Sequence, residues 1–287
     1  HDIALDVAPG EIVALVGPSG SGKSTIFNLI PRFYDVQHGA VRVDGTDVRE
    51  IAQESLREHI GIVPQETLLF GGTIRDNILY GRLDASEDEM MAAAAAANAH
   101  EFIMALPKQY DTLVGERGVK LSGGQRQRVS IARALTTDPS VIVADESVSM
   151  VDVSIRIGLL QMMMNLRDEL GVTIVFITHD LALAKYFSWE GRIGVMYLGR
   201  MVEVGKTQQL IANPQHPYTR VLLSAIPEPD PEKTRTKRHI QLRSEDIPRL
   251  TELPPGCSFH PRCPWYIEGV CDHTVPQLAV PATSNSQ

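Results

Sequence analysis

The stretch Glu11-Ile12-Val13-Ala14-Leu15-Val16-Gly17-Pro18-Ser19-Gly20-Ser21-Gly22-Lys23-Ser24-Thr25-Ile26-Phe27-Asn28-Leu29-Ile30 decides the fold. An apolar run with β-branched residues reads as a buried strand, a Gly/Ser loop follows, and a helix runs from Lys23 until Pro31 stops it. Residues 17–24 match G-x-x-x-x-G-K-[ST], and they sit between strand and helix, where that motif cradles phosphate. Its glycines let successive N–H groups curl around an anion without Cβ clashes, and the helix start adds its positive end. Gly17, Ser19, Gly20, Ser21, Gly22, Lys23, Ser24 and Thr25 are the candidate nucleotide-binding residues. Lys23 would reach the β- and γ-phosphates, and the Ser24 hydroxyl would ligate Mg²⁺. A flexible Gly/Ser turn is the competing reading, which the flanking strand and helix disfavour.

Working outward, residues 40–43, 60–63, 141–144, 172–177 and 193–197 are further short strands. Most are continuously apolar, as in a sheet covered on both faces. Residues 154–170 form an amphipathic helix with Ile155, Leu159, Met162, Leu166 and Leu170 on one face and Gly171 as its stop. Met162-Met163-Met164 on this helix reads as core packing. Alternating strands and helices predict an α/β fold of P-loop NTPase type with a mostly parallel sheet. Residues 84–136 break the alternation with helix only, opened by capping boxes at Ser86/Glu89 and Ser122/Gln125. The expected organisation is a nucleotide-binding domain over 1–226, with core 1–83 and 137–226 and a helical subdomain 84–136. A Pro-rich linker and a cysteine-bearing extension occupy 227–287.

Composition narrows the classes. The chain has 287 residues, 27 Lys/Arg against 35 Asp/Glu, a net charge of −8, and 43% hydrophobic residues. That rules out wholesale disorder, and no apolar run is long enough to span a bilayer. Excess acid disfavours a nucleic-acid partner, which needs clustered cations. The basic run Lys233, Arg235, Lys237, Arg238 and Arg243 has no aromatic interleaving and reads as a solvated linker. The opening His1-Asp2-Ile3-Ala4-Leu5 lacks signal-peptide character and a starting Met, as in a fragment or processed chain. Three cysteines cannot pair evenly, which favours a reducing compartment.

Residues 141–146, Val-Ile-Val-Ala-Asp-Glu, form a strand ending in two carboxylates. Asp145 would hold Mg²⁺, and Glu146 would orient and polarise an attacking water. Leu121-Ser122-Gly123-Gly124-Gln125 opens a second Gly-rich helix start, with an ordinary N-cap as the bland reading. One nucleotide cannot easily reach both helix starts in one chain. A head-to-tail dimer, in which Ser122 of one copy closes over the γ-phosphate of the other, resolves this.

Residues 17–24, Gln65, 121–125, Asp145-Glu146, Ser149-Met150-Val151-Asp152 and His179 resemble the Walker A, Q-loop, signature, Walker B, D-loop and H-loop of an ABC transporter ATPase, in family order. The resemblance covers about residues 1–225. It implies that Gln65 senses Mg²⁺ and the attacking water, and that His179 contacts the γ-phosphate. It further implies that Ser122, Gly123, Gly124, Gln125 and Asp152 meet nucleotide in a homo- or heterodimer. ATP and Mg²⁺ are the implied cofactors, transmembrane permease subunits the partners, and the cytoplasmic membrane face the location. A soluble ABC protein without a transport role is the alternative; such proteins carry a coiled coil or a second cassette.

The finer resemblance divides. Residues 11–135 are similar to multidrug or lipid exporter ATPases, through residues 70–78 and the x-loop-like Thr112-Leu113-Val114-Gly115-Glu116-Arg117-Gly118. From residue 136 the chain resembles oligopeptide/dipeptide importer ATPases, through residues 148–154, 216–227 and 256–264. A chimera joined near residues 133–139, able to bind nucleotide with little turnover, is one expectation. No aromatic in residues 1–16 matches the exporter residue that stacks adenine, and Ser147 stands where Ala or Pro is usual. Cys257, Cys263 and Cys271 are spaced C-x₅-C-x₇-C. The similar tail of some peptide-importer ATPases holds a 4Fe–4S cluster with four cysteines, one more than this sequence has. A histidine, His260 or His273, would complete a Zn²⁺ site instead; three unligated thiols are the other reading.

Overall fold

The computed structural model describes residues 3–115, 120–149, 151–226 and 239–279. Part of the x-loop-like segment (116–118), Met150, the linker 227–231, the basic residues 233–238 and the last residues 280–287 lie outside them. In chain order the elements are β1 (Ile12–Val16), α1 (Lys23–Leu29), β2 (Arg42–Val43), β3 (Thr46–Asp47), α2 (Gln53–Glu58), β4 (Ile60–Val63), β5 (Gly72–Thr73), α3 (Ile74–Leu79), α4 (Glu87–Ala96) and α5 (His100–Met104). There follow β6 (Leu113–Val114), α6 (Gly123–Leu135), β7 (Val141–Asp145), α7 (Val153–Leu170), β8 (Thr173–Thr178), α8 (Leu181–Phe187), β9 (Arg192–Tyr197), β10 (Arg200–Lys206), α9 (Thr207–Ala212) and α10 (Pro217–Ala225).

The chain divides into two compact units. In the unit made of residues 6–14 and 24–178, strands run in the order β1-β8-β7-β4. The β4, β7 and β8 ladders are parallel, with Ile60 opposite Val141 and Val141 opposite Thr173. Every residue of β1 and β8 is buried, so their unbroken apolar character follows from cover on both faces. Helix α7 starts one residue earlier than expected and buries Leu159, Leu160, Met162, Met163 and Leu166. Gly171 ends it at φ 69° with its N–H on the Arg167 carbonyl, a conformation that costs any other residue steric strain. Leu170, expected on the core face, is 56% exposed in the last turn.

The block 84–136 is not helix only. β6 pairs antiparallel with β5, Gly72 opposite Val114. Two residues are too short to show any alternation in sequence, and the pairing is made by a distant segment. The capping boxes at Ser86 and Ser122 both form, and Thr73/Asp76 adds a third.

The other unit, residues 1–5, 15–23 and 179–287, contains the end of β1 beside β9 and the antiparallel hairpin β9–β10. Its two-residue loop, Leu198-Gly199, has φ of 45° and 77°, the double left-handed geometry that matches strand twist. Leucine gives no sequence signal for such a turn, so β10 was not foreseen. The extension 239–279 contains no helix or strand among its described residues and is held by turn and crossing hydrogen bonds, such as Arg243 N–H to the Arg262 carbonyl at 3.2 Å, and by side-chain packing. Phe259, 1% exposed, packs with Tyr197 and Tyr218 at centroid distances of 5.4 and 5.2 Å.

Candidate functional site

The phosphate loop follows β1 in the smaller set of segments. Gly20 and Gly22 have φ of 77° and 100°, and a Cβ on Gly17 would lie 2.3 Å from the Met196 carbonyl oxygen. Glycine is therefore required at 17 by close approach and at 20 and 22 by backbone conformation. The loop is pinned where the Gly199 N–H donates to the Ser21 carbonyl at 3.0 Å. Lys23 is buried, and its Nζ donates to the carbonyls of Gly17 (2.7 Å) and Pro18 (2.9 Å) and to Ser21 Oγ (3.4 Å). A buried ammonium whose donors fall on loop carbonyls suits exchange onto phosphate oxygens, so this cradle fits a nucleotide. Ser19, Gly20, Ser24 and Thr25 are exposed. A Cβ at Gly20 would lie 3.8 Å from Leu250 Cδ1, so the extension passes beside the loop, a neighbour that the sequence gives no sign of. His179 follows β8 and is exposed, and the next residue, Asp180, caps α8 by accepting from Ala182 and Leu183 N–H.

In the larger unit, Asp145 ends β7 and Glu146 follows it. Glu146 has φ 43°, a left-handed conformation rare for a residue with a side chain. That turn is fixed on both sides: the Glu146 N–H donates to the Ile177 carbonyl at 2.8 Å, and its carbonyl accepts from Ser149 N–H (2.9 Å) and Ser149 Oγ (2.8 Å). Local strain held by surrounding bonds aims the carboxylate. Gln65 Nε2 donates to Glu146 Oε2 at 3.0 Å, which joins two residues 81 positions apart. Ser147 is buried, and its hydroxyl has no hydrogen-bond partner among the described residues.

The signature residues open α6. Ser122 Oγ accepts from Gln125 N–H at 3.2 Å, while Gln125 Oε1 accepts from Ser122 N–H at 2.9 Å. A cavity of about 360 Å³ lies there, walled by Ser122, Gly123, Gly124 and Arg126 on one side and Ser149 and Asp152 on another. The positive end of a 13-residue helix with Arg126 beside it suits an anion. Gly124 is forced by packing, since a Cβ would meet Ile155 Cγ2 of α7 at 2.6 Å. Arg156 was not singled out from sequence; it donates to the carbonyls of Ser149 (3.4 Å) and Val151 (3.3 Å) and so steadies the D-loop. No sequence pattern marks it, because its acceptors are backbone.

The cysteine tail is a correction. Among the described residues no group of three or more His, Cys, Asp or Glu is placed to hold a metal. Cys257, Cys263 and Cys271 are free, and burial pushes the Cys257 and Cys263 thiols above their ordinary range. Of the neighbouring histidines, His260 Nδ1 is 2.9 Å from the Cys257 carbonyl oxygen and His273 Nδ1 is 3.0 Å from Asp272 Oδ1. Three cysteines fall one short of the four that a 4Fe–4S cluster takes, and no Zn²⁺ donor group is assembled among the described residues.

A strand-ended phosphate loop, a paired acidic strand end and a Ser-Gly-Gly-Gln helix start together define an ABC-type ATPase. The comparisons agree. Residues 1–149 match the ABC transporter family, and residues 202–271 match the oligopeptide/dipeptide transporter C-terminal region. A peptide import ATP-binding protein of Brucella ovis is 41% identical over 284 residues, covering 96% of this chain and 86% of the relative. A multidrug export ATP-binding/permease protein of Bacillus subtilis is 46% identical over 211 residues, 74% of this chain and 36% of that protein. Human ATP-binding cassette sub-family B member 6 is 55% identical over 154 residues, 54% of this chain and 18% of its own length. Among solved structures, a bacterial Atm1-family ABC exporter with ATP bound superposes with TM-score 0.67 and 43% identity, over 74% of this chain and 36% of the exporter. The chain belongs to the ABC transporter family: it is an ATP-binding, ATP-hydrolysing subunit of a transporter, and both peptide-import and exporter proteins are among its relatives.

Proposed function

We propose that this subunit hydrolyses ATP in a head-to-tail dimer at the cytoplasmic face of a membrane and drives separate permease subunits, with peptides as the transported class. No helix among the described residues is long and apolar enough to cross a membrane, and the ABC transporter family match supports transmembrane permease partners. The importer-type extension matched at residues 202–271 supports a peptide cargo. Gly17, Ser19, Gly20, Ser21, Gly22, Lys23, Ser24 and Thr25 bind the triphosphate. Ser122, Gly123, Gly124, Gln125 and Asp152 meet the nucleotide of the other copy. Ser24, Gln65 and Asp145 are suited by their oxygen donors to hold Mg²⁺, which would neutralise charge on the transferred phosphoryl group. Glu146 orients the attacking water, and His179 contacts the γ-phosphate. We read 84–136 as a mainly helical insertion into a core formed by 1–83 and 137–226. We also read the chain as two segments joined near residues 133–139; one natural gene carrying both in frame would refute that origin.

One observation carries the catalytic reading: Glu146, in a left-handed turn braced by Ser149, accepts from Gln65 at 3.0 Å. The test is Glu146→Gln beside Lys23→Ala, with phosphate release and nucleotide binding measured on each. Glu146→Gln should lose turnover by a factor of at least about 100, keep ATP binding and prolong the dimer. Lys23→Ala should lose binding. Retained hydrolysis in Glu146→Gln would remove that residue from its role, and absence of turnover in the parent would favour an assembly that binds without hydrolysing.

A further inference from the structure

Two of the tail's three cysteines are brought together by backbone. The Cys257 N–H donates to the Cys271 carbonyl at 2.8 Å. Strand-like pairs bonded in this way hold their Cα atoms on the order of 5 Å apart, inside the roughly 4.4–6.8 Å that a disulfide spans. Gly256 makes the crossing possible: it has φ 67°, and a Cβ there would lie 2.5 Å from the Cys271 carbonyl oxygen. Cys263 is buried, whereas Cys257 and Cys271 are half-buried and within reach of a small molecule. All three thiols lie within one another's electrostatic range, so the backbone crossing and burial, not proximity alone, single out Cys257 and Cys271.

We propose that Cys257 and Cys271 are a reversible thiol–disulfide pair, oxidised by exchange with a low-molecular-weight disulfide of the glutathione class, while Cys263 stays reduced. One thiol loses its proton and its sulfur attacks the small disulfide, releasing one small thiol and leaving a mixed disulfide. The second thiol, deprotonated in turn, attacks the protein sulfur of that intermediate, forms the Cys257–Cys271 bond and releases a second small thiol. The two protons leave on the two small thiols, so two protein thiols are oxidised and one small disulfide is reduced. The bond closes a loop within a segment that has no helix or strand among its described residues, and it limits the freedom of the unfolded chain there.

The full chain, purified reduced, is incubated with oxidised glutathione at mildly alkaline pH. Thiols are then counted under denaturing conditions, and peptides are mapped after cleavage at Arg262 and Glu268, which separates the three cysteines. The expected result is loss of two of the three thiols, a mass lower by two hydrogens, and a single cross-link between the Cys257 and Cys271 peptides. A Cys263→Ser variant should lose both remaining thiols, and Cys271→Ser should stop at a glutathione adduct. Persistent mixed adducts on the parent, a cross-link through Cys263, or three unreacted thiols would overturn the assignment.

Discussion

Replacing Gly124 by alanine puts a methyl group where α6 meets α7. The added Cβ would approach Ile155 Cγ2 to 2.6 Å and Cδ1 to 3.4 Å. Cγ2 is fixed by the β-branch and cannot swing away as a long side chain would, so helix or rotamer must shift. Overpacking of this kind costs about 1–3 kcal/mol, against which alanine returns at most about 1 kcal/mol of helix propensity over glycine. With that return in full the expected net loss is up to about 2 kcal/mol, read as a lower urea midpoint with unchanged slope. Hydrolysis should fall as well, because the same contact walls the cavity at Ser122. Ile155→Leu removes the β-branch at a cost under about 1.5 kcal/mol, and Gly124→Ala in that background should cost less than half as much. Equal midpoints for Gly124→Ala and parent, or the same loss in both backgrounds, would falsify the steric account.

Other substitutions test separate parts of the fold. Burial lowers His216 to about 4, with the Glu203 carboxylate acting in the opposite sense. The folded protein therefore keeps this ring neutral while the unfolded chain protonates it below about pH 6.5, so its contribution is intact above that pH. Stability should fall by up to about 1.4 kcal/mol per pH unit from pH 6.5 down to 4. His216→Asn, which keeps an acceptor for the Tyr218 N–H that His216 Nδ1 now accepts, should flatten that part of the midpoint-against-pH curve. Ser147→Ala removes a buried hydroxyl without a partner and should raise the midpoint by about 1 kcal/mol, leaving ATP binding unchanged. Arg133 donates to the Asn77 carbonyl and Oδ1, both at 2.8 Å, and lies 4.9 Å over the Phe70 ring. Arg133→Ala should cost about 2–3 kcal/mol in urea unfolding, and lysine should recover little of it, since an ammonium cannot make this fork.

Much of the local design was legible in the residues themselves. Residues 17–24 announce their loop because glycine alone takes φ of 77° and 100° without strain, and the capping boxes at Ser86 and Ser122 are local three-residue reciprocities. The boundaries of α7 follow from its apolar period and Gly171, and β4 from four apolar residues. What sequence could not supply are contacts made by the backbone of distant segments. The β5–β6 pair, the Leu198-Gly199 turn and the D-loop grip of Arg156 use carbonyls and N–H groups that every residue type carries, so no side chain advertises them. Tertiary structure also bears on a choice that sequence left open. Cysteine spacing left a metal site and three unligated thiols open, and among the described residues no metal-holding group is assembled, because ligand geometry depends on where the chain crosses itself at Gly256. Sequence determined which groups this protein carries and which local turns they make; the crossing of remote segments decided that Gln65 reaches Glu146, that Ile155 leaves no room beside Gly124, and that Cys257 lies on the Cys271 backbone.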